Sequence, residues 1–154
     1  MAEKFFPVRV GTKRTPPPGL DTAKALASGA AECLHAAKCL DGSGKPDQTG
    51  EYIVLFHAIE LGLKAFLLNH GLPEKDLRKY GHDLVKLLQE AKQRGLSLAA
   101  PSADDMIEWI NEWHCDEVKI RYEFGTERFL PLCNAVFPLA EEIIAATSTR
   151  AMSR

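Results

Sequence analysis

Apolar residues recur at helical spacing along most of the chain, and the longest such stretch runs from Thr49 to Glu90. Its first half is apolar almost all round at 100° per residue, which is typical of a helix at the centre of a fold. One face carries Tyr52, Leu55, Phe56, Ile59, Leu63 and Phe66, and the opposite face carries Val54, Leu61, Ala65 and Leu68. A narrow polar arc with His57, Glu60 and Lys64 interrupts this helix, and Glu60 precedes Lys64 at the i,i+4 spacing that favours an ion pair.

The same spacing predicts four other helices, so that the fold class is all-α. In chain order, the five helices run over residues 21–40, 49–70, 83–95, 102–114 and 129–146. Short connections between them indicate an up-and-down bundle of about five helices in a single domain. We assign residues 1–19 to an extended N-terminal arm, residues 20–147 to the bundle and residues 148–154 to a frayed tail.

Capping residues and prolines refine the helix ends. We expect Asp83 in the first turn of the third helix, where the helix dipole favours an acid. Ser102 and Asp105 have the spacing of a capping box at the start of the fourth helix. In the last helix, Pro131 is predicted to lie in the first turn and Pro138 at a kink.

Two connecting stretches lack a helical pattern. Residues 74–80 are predicted to form a polar turn. Between Asp116 and Gly125, apolar and polar residues alternate as in a strand. Since no second strand-like stretch is present to pair with it, we interpret this segment as an irregular connector.

Composition narrows the setting in which the protein acts. The formal charge is −2 and the sequence pI is about 6.2, so any nucleic-acid or membrane contact requires a local basic patch. The four cysteines form no CxxC pair and no signal peptide precedes them, which favours the reducing cytoplasm. The apolar helix is too short and too charged to span a membrane, so no membrane association is expected.

Three stretches resemble the HEPN family, named for a nucleotide-binding domain of higher eukaryotes and prokaryotes. They are HAIELGLKAFLL at residues 57–68, YGHDL at 80–84 and IRY at 120–122, in that order within residues 21–146. The resemblance implies an all-α up-and-down bundle that is frequently dimeric. It also implies a place among toxin–antitoxin pairs, phage-defence proteins, partners of minimal nucleotidyltransferases and RNA-cutting enzymes.

The active nucleases of that family carry an Arg, four to six intervening residues and a His. Arg121 matches the family's Arg by its context, but the window after it holds Thr126, Glu127 and Arg128 instead of a His. The chain therefore departs from the family at the residue that would move a proton near neutral pH. This departure argues against RNase activity and leaves the catalytic residues unassigned.

The resemblance would bring Glu60, Lys64, His82, Arg121 and Tyr122 together between the central helix, the turn before the third helix and the late connector. A buried carboxylate is costly unless it is paired, so one interpretation is an internal polar latch that fixes helix register. The other is a pocket for phosphate or a nucleotide edge, lined by Arg121, His82 and Lys64.

We predict no metal site and no cofactor from the spacing of the sequence. Glu32 with His35 has the Glu-x-x-His spacing of carboxylate-bridged bundles, but the other candidate, His57 with Glu60, runs in reverse order. A Cys115–His114 dyad is also unfavourable, because adjacent helical residues point about 100° apart.

These observations favour a non-catalytic HEPN-like module that acts by protein association. Its expected partners are a second copy of the chain and a nucleotidyltransferase-like protein in a toxin–antitoxin or defence system. The alternative is an RNA-directed nuclease or nucleotide-binding protein that uses Arg121 and His82, and a third interpretation is a stand-alone ligand sensor. A homodimer is expected because the apolar helix surface exceeds what one five-helix bundle readily covers.

Overall fold

A computed structural model describes residues 20–41, 49–115, 120 and 129–148 of the chain. The elements are α1 (Leu20–Asp41), α2 (Thr49–Asn69), α3 (Glu74–Leu77), a 3-10 turn (Arg78–Tyr80), α4 (Leu84–Gln93), α5 (Ala103–His114) and α6 (Cys133–Thr147). The fold is all-α, as predicted, and no strand occurs within these ranges. The predicted N-terminal arm, the end of the tail and the connector around Arg121, apart from Ile120, lie outside the described residues.

Helix α2 is the centre of the fold, as its pattern predicted. It packs against α1, α6 and α4, and α4 in turn packs against α5. Its fully buried apolar side chains include Leu55, Phe56, Ile59, Leu63 and Leu67. Gly62 permits the close approach of α6, because a Cβ atom at this position would stand 2.9 Å from Ile143 Cγ2.

Helices α2 and α4 end in the same way, with a glycine in the left-handed region. Gly71 has a φ of 85°, and the Leu72 N–H donates to the Leu67 carbonyl at 2.9 Å. Gly95 has a φ of 98°, and the Leu96 N–H donates to the Ala91 carbonyl at 2.9 Å. This six-to-one bond is the mark of a Schellman motif, in which an apolar residue after the glycine folds back onto the helix. Both stop signals were readable in the sequence.

Two predicted features between α2 and α4 are wrong in detail. The stretch 74–80 is helical, since α3 and the 3-10 turn occupy it. Pro73, with a φ of −63°, precedes α3 and presets the backbone for a helical start. Asp83 is the N-cap of α4 and lies outside its first turn, because its carboxylate accepts a hydrogen bond from the Lys86 N–H at 3.1 Å.

The ends of α5 and α6 also differ from the prediction. Ser102 precedes α5, but its side chain makes no capping hydrogen bond, so the predicted capping box is wrong. Helix α6 begins at Cys133, later than the predicted Phe129, and Pro131 therefore precedes the helix. A proline disfavours helical geometry in the residue before it, here Leu130, and the extended Leu132, with a ψ of 134°, is the N-cap of the helix. Pro138 lies within α6, as predicted.

A search of the described helices for a stretch long and apolar enough to cross a bilayer finds none.

Candidate functional site

The Glu60 carboxylate is the centre of the one buried charged group that several elements share in the described part of the chain. Glu60 lies near the middle of α2, and its side chain is 2 % exposed. Its Oε2 atom accepts a hydrogen bond from His114 Nε2 at 2.6 Å, and its Oε1 atom accepts one from Lys64 Nζ at 2.5 Å. His82 Nδ1 lies 3.0 Å from Oε2 and 3.1 Å from Oε1. We call Glu60, His57, Lys64, His82 and His114 the Glu60 cluster.

Helix α2 itself supplies three members of the cluster. Lys64 follows Glu60 by one turn, which gives the i,i+4 ion pair that the sequence predicted. His57 precedes Glu60 by three residues, and its Nδ1 atom stands 3.7 Å from Glu60 Oε2. That distance exceeds a hydrogen bond, and the buried Nδ1 atom has no hydrogen-bond partner among the residues described.

His82 reaches the cluster from the short connection between the 3-10 turn and α4. Its neighbour Asp83 caps α4, and the Asn111 side chain of α5 contacts the same end of α4. The Asn111 side chain accepts a hydrogen bond from the Leu84 N–H at 2.7 Å and donates one to Asp83 Oδ1 at 3.3 Å. These bonds fix the start of α4 against α5, and they set the direction from which His82 approaches Glu60.

His114 is the last residue of α5 and is the member of the cluster that this helix supplies. Its side chain is 1 % exposed, and its ring stands edge-on to Phe56 and to His82 at centroid distances of 6.3 Å and 5.9 Å. Its Nε2 atom is committed to Glu60, while the buried Nδ1 atom has no hydrogen-bond partner in the described ranges. His114 therefore pairs with Glu60.

Electrostatics keep Glu60 ionised despite its burial. Burial acts to raise the pKa of Glu60, but the hydrogen bonds it accepts, above all the one from His114, hold that pKa well below its ordinary value of 4.5. One negative charge thus faces four basic side chains. A single cation would neutralise it, so the cluster holds more basic groups than the carboxylate requires.

Three of the five predicted site residues come together, namely Glu60, Lys64 and His82. Arg121 and Tyr122 lie outside the described residues. The sequence prediction omitted His114 and gave His57 only a place in the polar arc of α2. One signal for His114 was present, because a histidine on the inner face of a helix needs a polar partner and Glu60 was the buried acid at hand.

The residues of the Glu32–His35 pair, which the sequence disfavoured as a metal motif, contact other side chains of α1. Glu32 accepts a hydrogen bond from Ser28, and His35 faces Cys39 on the exposed side of α1. A different set, Glu60, His82 and His114, brings one potential ligand atom each to within 4.8 Å of the others. Spacing along the sequence could not reveal this set, since its members belong to α2, the connection before α4, and α5.

No protein-family model, no curated protein and no solved structure matches this chain. The resemblance to the HEPN family therefore stays a prediction, and function has to be argued from the Glu60 cluster itself.

Proposed function

We propose that this protein binds a phosphate-bearing ligand, a nucleotide or an RNA end, where the Glu60 cluster meets the surface. The observation that supports this proposal is the excess of basic groups around one buried carboxylate. Lys64 alone balances the charge of Glu60, so a protonated imidazole would give the cluster a net positive charge. An anion is the complement of such a site.

The exposed edge of the cluster has the donors that a phosphate group needs. The His82 side chain is 45 % exposed, and the His57 and Lys64 side chains are partly exposed beside the same carboxylate. Because Glu60 accepts a hydrogen bond from His82 Nδ1, the Nε2 atom on the far side of the ring is oriented for another partner. Lys64, His57 and His82 thus offer an ammonium group and two imidazole rings beside the same carboxylate, and each ring can donate to a phosphate when its outward nitrogen carries a proton.

A purely structural latch is the competing interpretation, and it explains less of the cluster. A buried carboxylate needs a single well-placed cation and one or two hydrogen bonds to be satisfied. Here Glu60 already has the buried His114 and the adjacent Lys64. His82 lies on an exposed connection and its side chain is 45 % exposed, yet its ring faces the cluster. Binding gives a reason for this third group.

Isothermal titration with adenosine monophosphate and with inorganic phosphate tests the proposal. We expect saturable binding by the wild type, and His82→Ala or Lys64→Gln should weaken it about tenfold or more, as expected for the loss of a charged hydrogen bond. Lys79→Ala is the matched control, because Lys79 is an exposed cation that pairs with Asp76 outside the cluster. A wild type that binds neither probe, or a Lys79→Ala variant that loses as much affinity, would refute the proposal.

Incubation with a mixed RNA pool in the presence of chelator separates binding from cleavage. We expect intact RNA, because no histidine occupies the window after Arg121. His82 is the group that could substitute for it, since Glu60 orients its ring. RNA cleavage that disappears in both His82→Ala and Arg121→Ala would contradict a binding role and assign an acid–base role to His82.

We propose a second role, association of the chain with a copy of itself, on a separate observation. Large apolar side chains are exposed where α5 faces the segment before α6, namely Trp109, Phe129 and Leu132. Trp109 Nε1 donates to the Phe129 carbonyl at 2.8 Å, so the Trp109 ring is joined to the backbone of the segment that carries Phe129 and Leu132. Such a patch is typical of contact sites between proteins.

Light scattering with chromatography tests self-association. We expect two chains per particle for the wild type and one for Phe129→Glu, while Glu108→Ala on the exposed surface of α5 should leave the mass unchanged. A wild-type monomer at micromolar concentration would refute this role. A nucleotidyltransferase-like partner in a toxin–antitoxin or defence system also remains part of the proposal, on the strength of the family resemblance alone.

A further inference from the structure

We propose that Glu60, His82 and His114 form a binding site for a divalent transition-metal ion such as Zn²⁺ or Co²⁺. Three elements that are distant in sequence bring one ligand atom each to within 4.8 Å of the others. The metal site rests on these three atoms alone and goes beyond the proposed binding of phosphate.

Two of the three distances between ligand atoms can be compared with those that a metal ion requires, and both are somewhat short. Glu60 Oε2 lies 2.6 Å from His114 Nε2 and 3.0 Å from His82 Nδ1. In a tetrahedral zinc site with bonds of about 2.1 Å, neighbouring ligand atoms are about 3.4 Å apart. Both contacts therefore need to open by less than about 1 Å. Because the His82 side chain is 45 % exposed, rotation of its ring can provide part of this movement.

The kinds of ligand are also appropriate. Two imidazoles and one carboxylate are a donor set for zinc and other first-row metals in sites that keep a position open for water or substrate. His114 and Glu60 are buried, whereas His82 is 45 % exposed and borders the surface. The open position would therefore face the same side of the cluster as the proposed phosphate site.

The two oxygens of Glu60 can have different partners, a metal ion on Oε2 and Lys64 on Oε1. Oε2 faces His114, and Oε1 accepts the hydrogen bond from Lys64 Nζ at 2.5 Å. A metal ion on Oε2 can thus keep Lys64 as the outer partner that orients the carboxylate. The ion would take the place of the protons that join Oε2 to the two imidazoles, and each displaced proton would go to solvent or to the other nitrogen of its ring.

A second observation points to a missing ligand in the same place. His57 Nδ1 is buried, has no hydrogen-bond partner in the described part of the chain and stands 3.7 Å from Oε2. A buried polar atom without a partner calls for an explanation. His57 is not part of the three-atom set, but a water molecule on the metal ion would give its Nδ1 atom a partner.

Titration with Co²⁺, followed by its visible absorption and by calorimetry in phosphate-free buffer without nucleotide, tests the site. We expect one ion per chain with imidazole and carboxylate ligands, and we expect His82→Gln to weaken binding at least tenfold. The largely exposed His82 makes this variant the safest to fold, and its thermal melt serves as a check. His35→Gln should bind as the wild type does, which excludes the exposed His35–Cys39 pair as the site.

The outcomes separate this inference from the proposed function. An absence of stoichiometric binding, binding that survives His82→Gln, or binding that His35→Gln abolishes would each overturn the metal site. The phosphate titrations are run in chelator, so their result stands whichever way the Co²⁺ titration falls. If both ligands bind, adenosine monophosphate should bind more tightly with Co²⁺ present, because the ion adds positive charge beside the phosphate.

Discussion

Helix α2 buries two glutamates, and the surroundings of the two differ sharply. Glu60, in the middle of the helix, faces four basic side chains. Glu51, in the first turn, is also buried, but it lies beside the Cys133 thiol, and its Oε1 atom has no hydrogen-bond partner in the described ranges. The N-terminus of α2 favours a negative charge at Glu51, whereas Glu60 lies too far along the helix to gain from it.

The difference between the two acids shows that burial alone does not define a functional site. At Glu51 the surroundings offer a helix terminus and a weak thiol donor, which is enough to tolerate one carboxylate. At Glu60 the neighbours carry more potential positive charge than the acid can balance, and one of them borders the surface. The surplus of basic groups, rather than the buried acid, is what favours the binding of a phosphate.

The largest predicted effect concerns the thiol beside Glu51. Burial raises the pKa of Cys133 to about 12 from its ordinary value of 9.0, and the hydrogen bond and charge of Glu51 add to the effect. The thiolate fraction should therefore fall roughly a thousandfold. Alkylation of the native protein at mildly alkaline pH, followed by mass spectrometry, should modify the exposed Cys39 and spare Cys133. Equal labelling of the two cysteines would show that the Glu51 region is open.

At the other acid, Glu60→Ala should destabilise the protein by about 3 kcal/mol, because it leaves buried basic groups without their counter-charge. Glu141→Ala is the control, since Glu141 forms an exposed ion pair with Lys38 and should cost less than about 1 kcal/mol. Urea unfolding measures both. A double-mutant cycle with His114→Gln should show coupling, and additive losses would mean that the 2.6 Å contact contributes nothing to stability.

The pH dependence of stability follows from the lowered pKa of Glu60. A group whose folded pKa lies below its unfolded pKa stabilises the protein fully above the unfolded value and loses that contribution as the pH falls. Stability due to Glu60 should thus be complete above about pH 4.5 and decline below it, by up to about 1.4 kcal/mol per pH unit. Glu60→Gln lacks this titration. The difference in the free energy of unfolding between the wild type and Glu60→Gln, measured in urea, should therefore shrink as the pH falls. A constant difference would contradict the prediction.

The sequence predicted the contact that lies along one helix and missed the contact between α2 and α5. The Glu60–Lys64 pair was predictable because both residues share a face of α2, and His82 was included through the family resemblance. His114 was placed only on an inner face, since periodicity gives direction but not the partner across the core. The late start of α6 was missed because capping and proline rules locate helix ends only to within a few residues.

The group formed by Glu60, His82 and His114 could not be predicted for the same reason. Metal-ligand motifs can be recognised when the spacing lies within one helix or loop, whereas Glu60, His82 and His114 come from three elements. Only the packing of α2, α4 and α5 defines that group, and the Asn111 bonds to the start of α4 define the position of His82 within it.

The smallest predicted effect makes the comparison of the two acids most direct, because the same isosteric change is made at both. Glu51→Gln keeps the side-chain volume and an oxygen that accepts from Cys133, and it loses only the attraction of a carboxylate to the helix N-terminus. We expect a loss below about 1 kcal/mol, smaller than that of Glu60→Gln, whose neutral amide leaves Lys64 without its counter-charge. Urea unfolding of both variants at neutral pH provides the measurement. If Glu51→Gln costs as much as Glu60→Gln, the surplus of basic groups around Glu60 has no special energetic role.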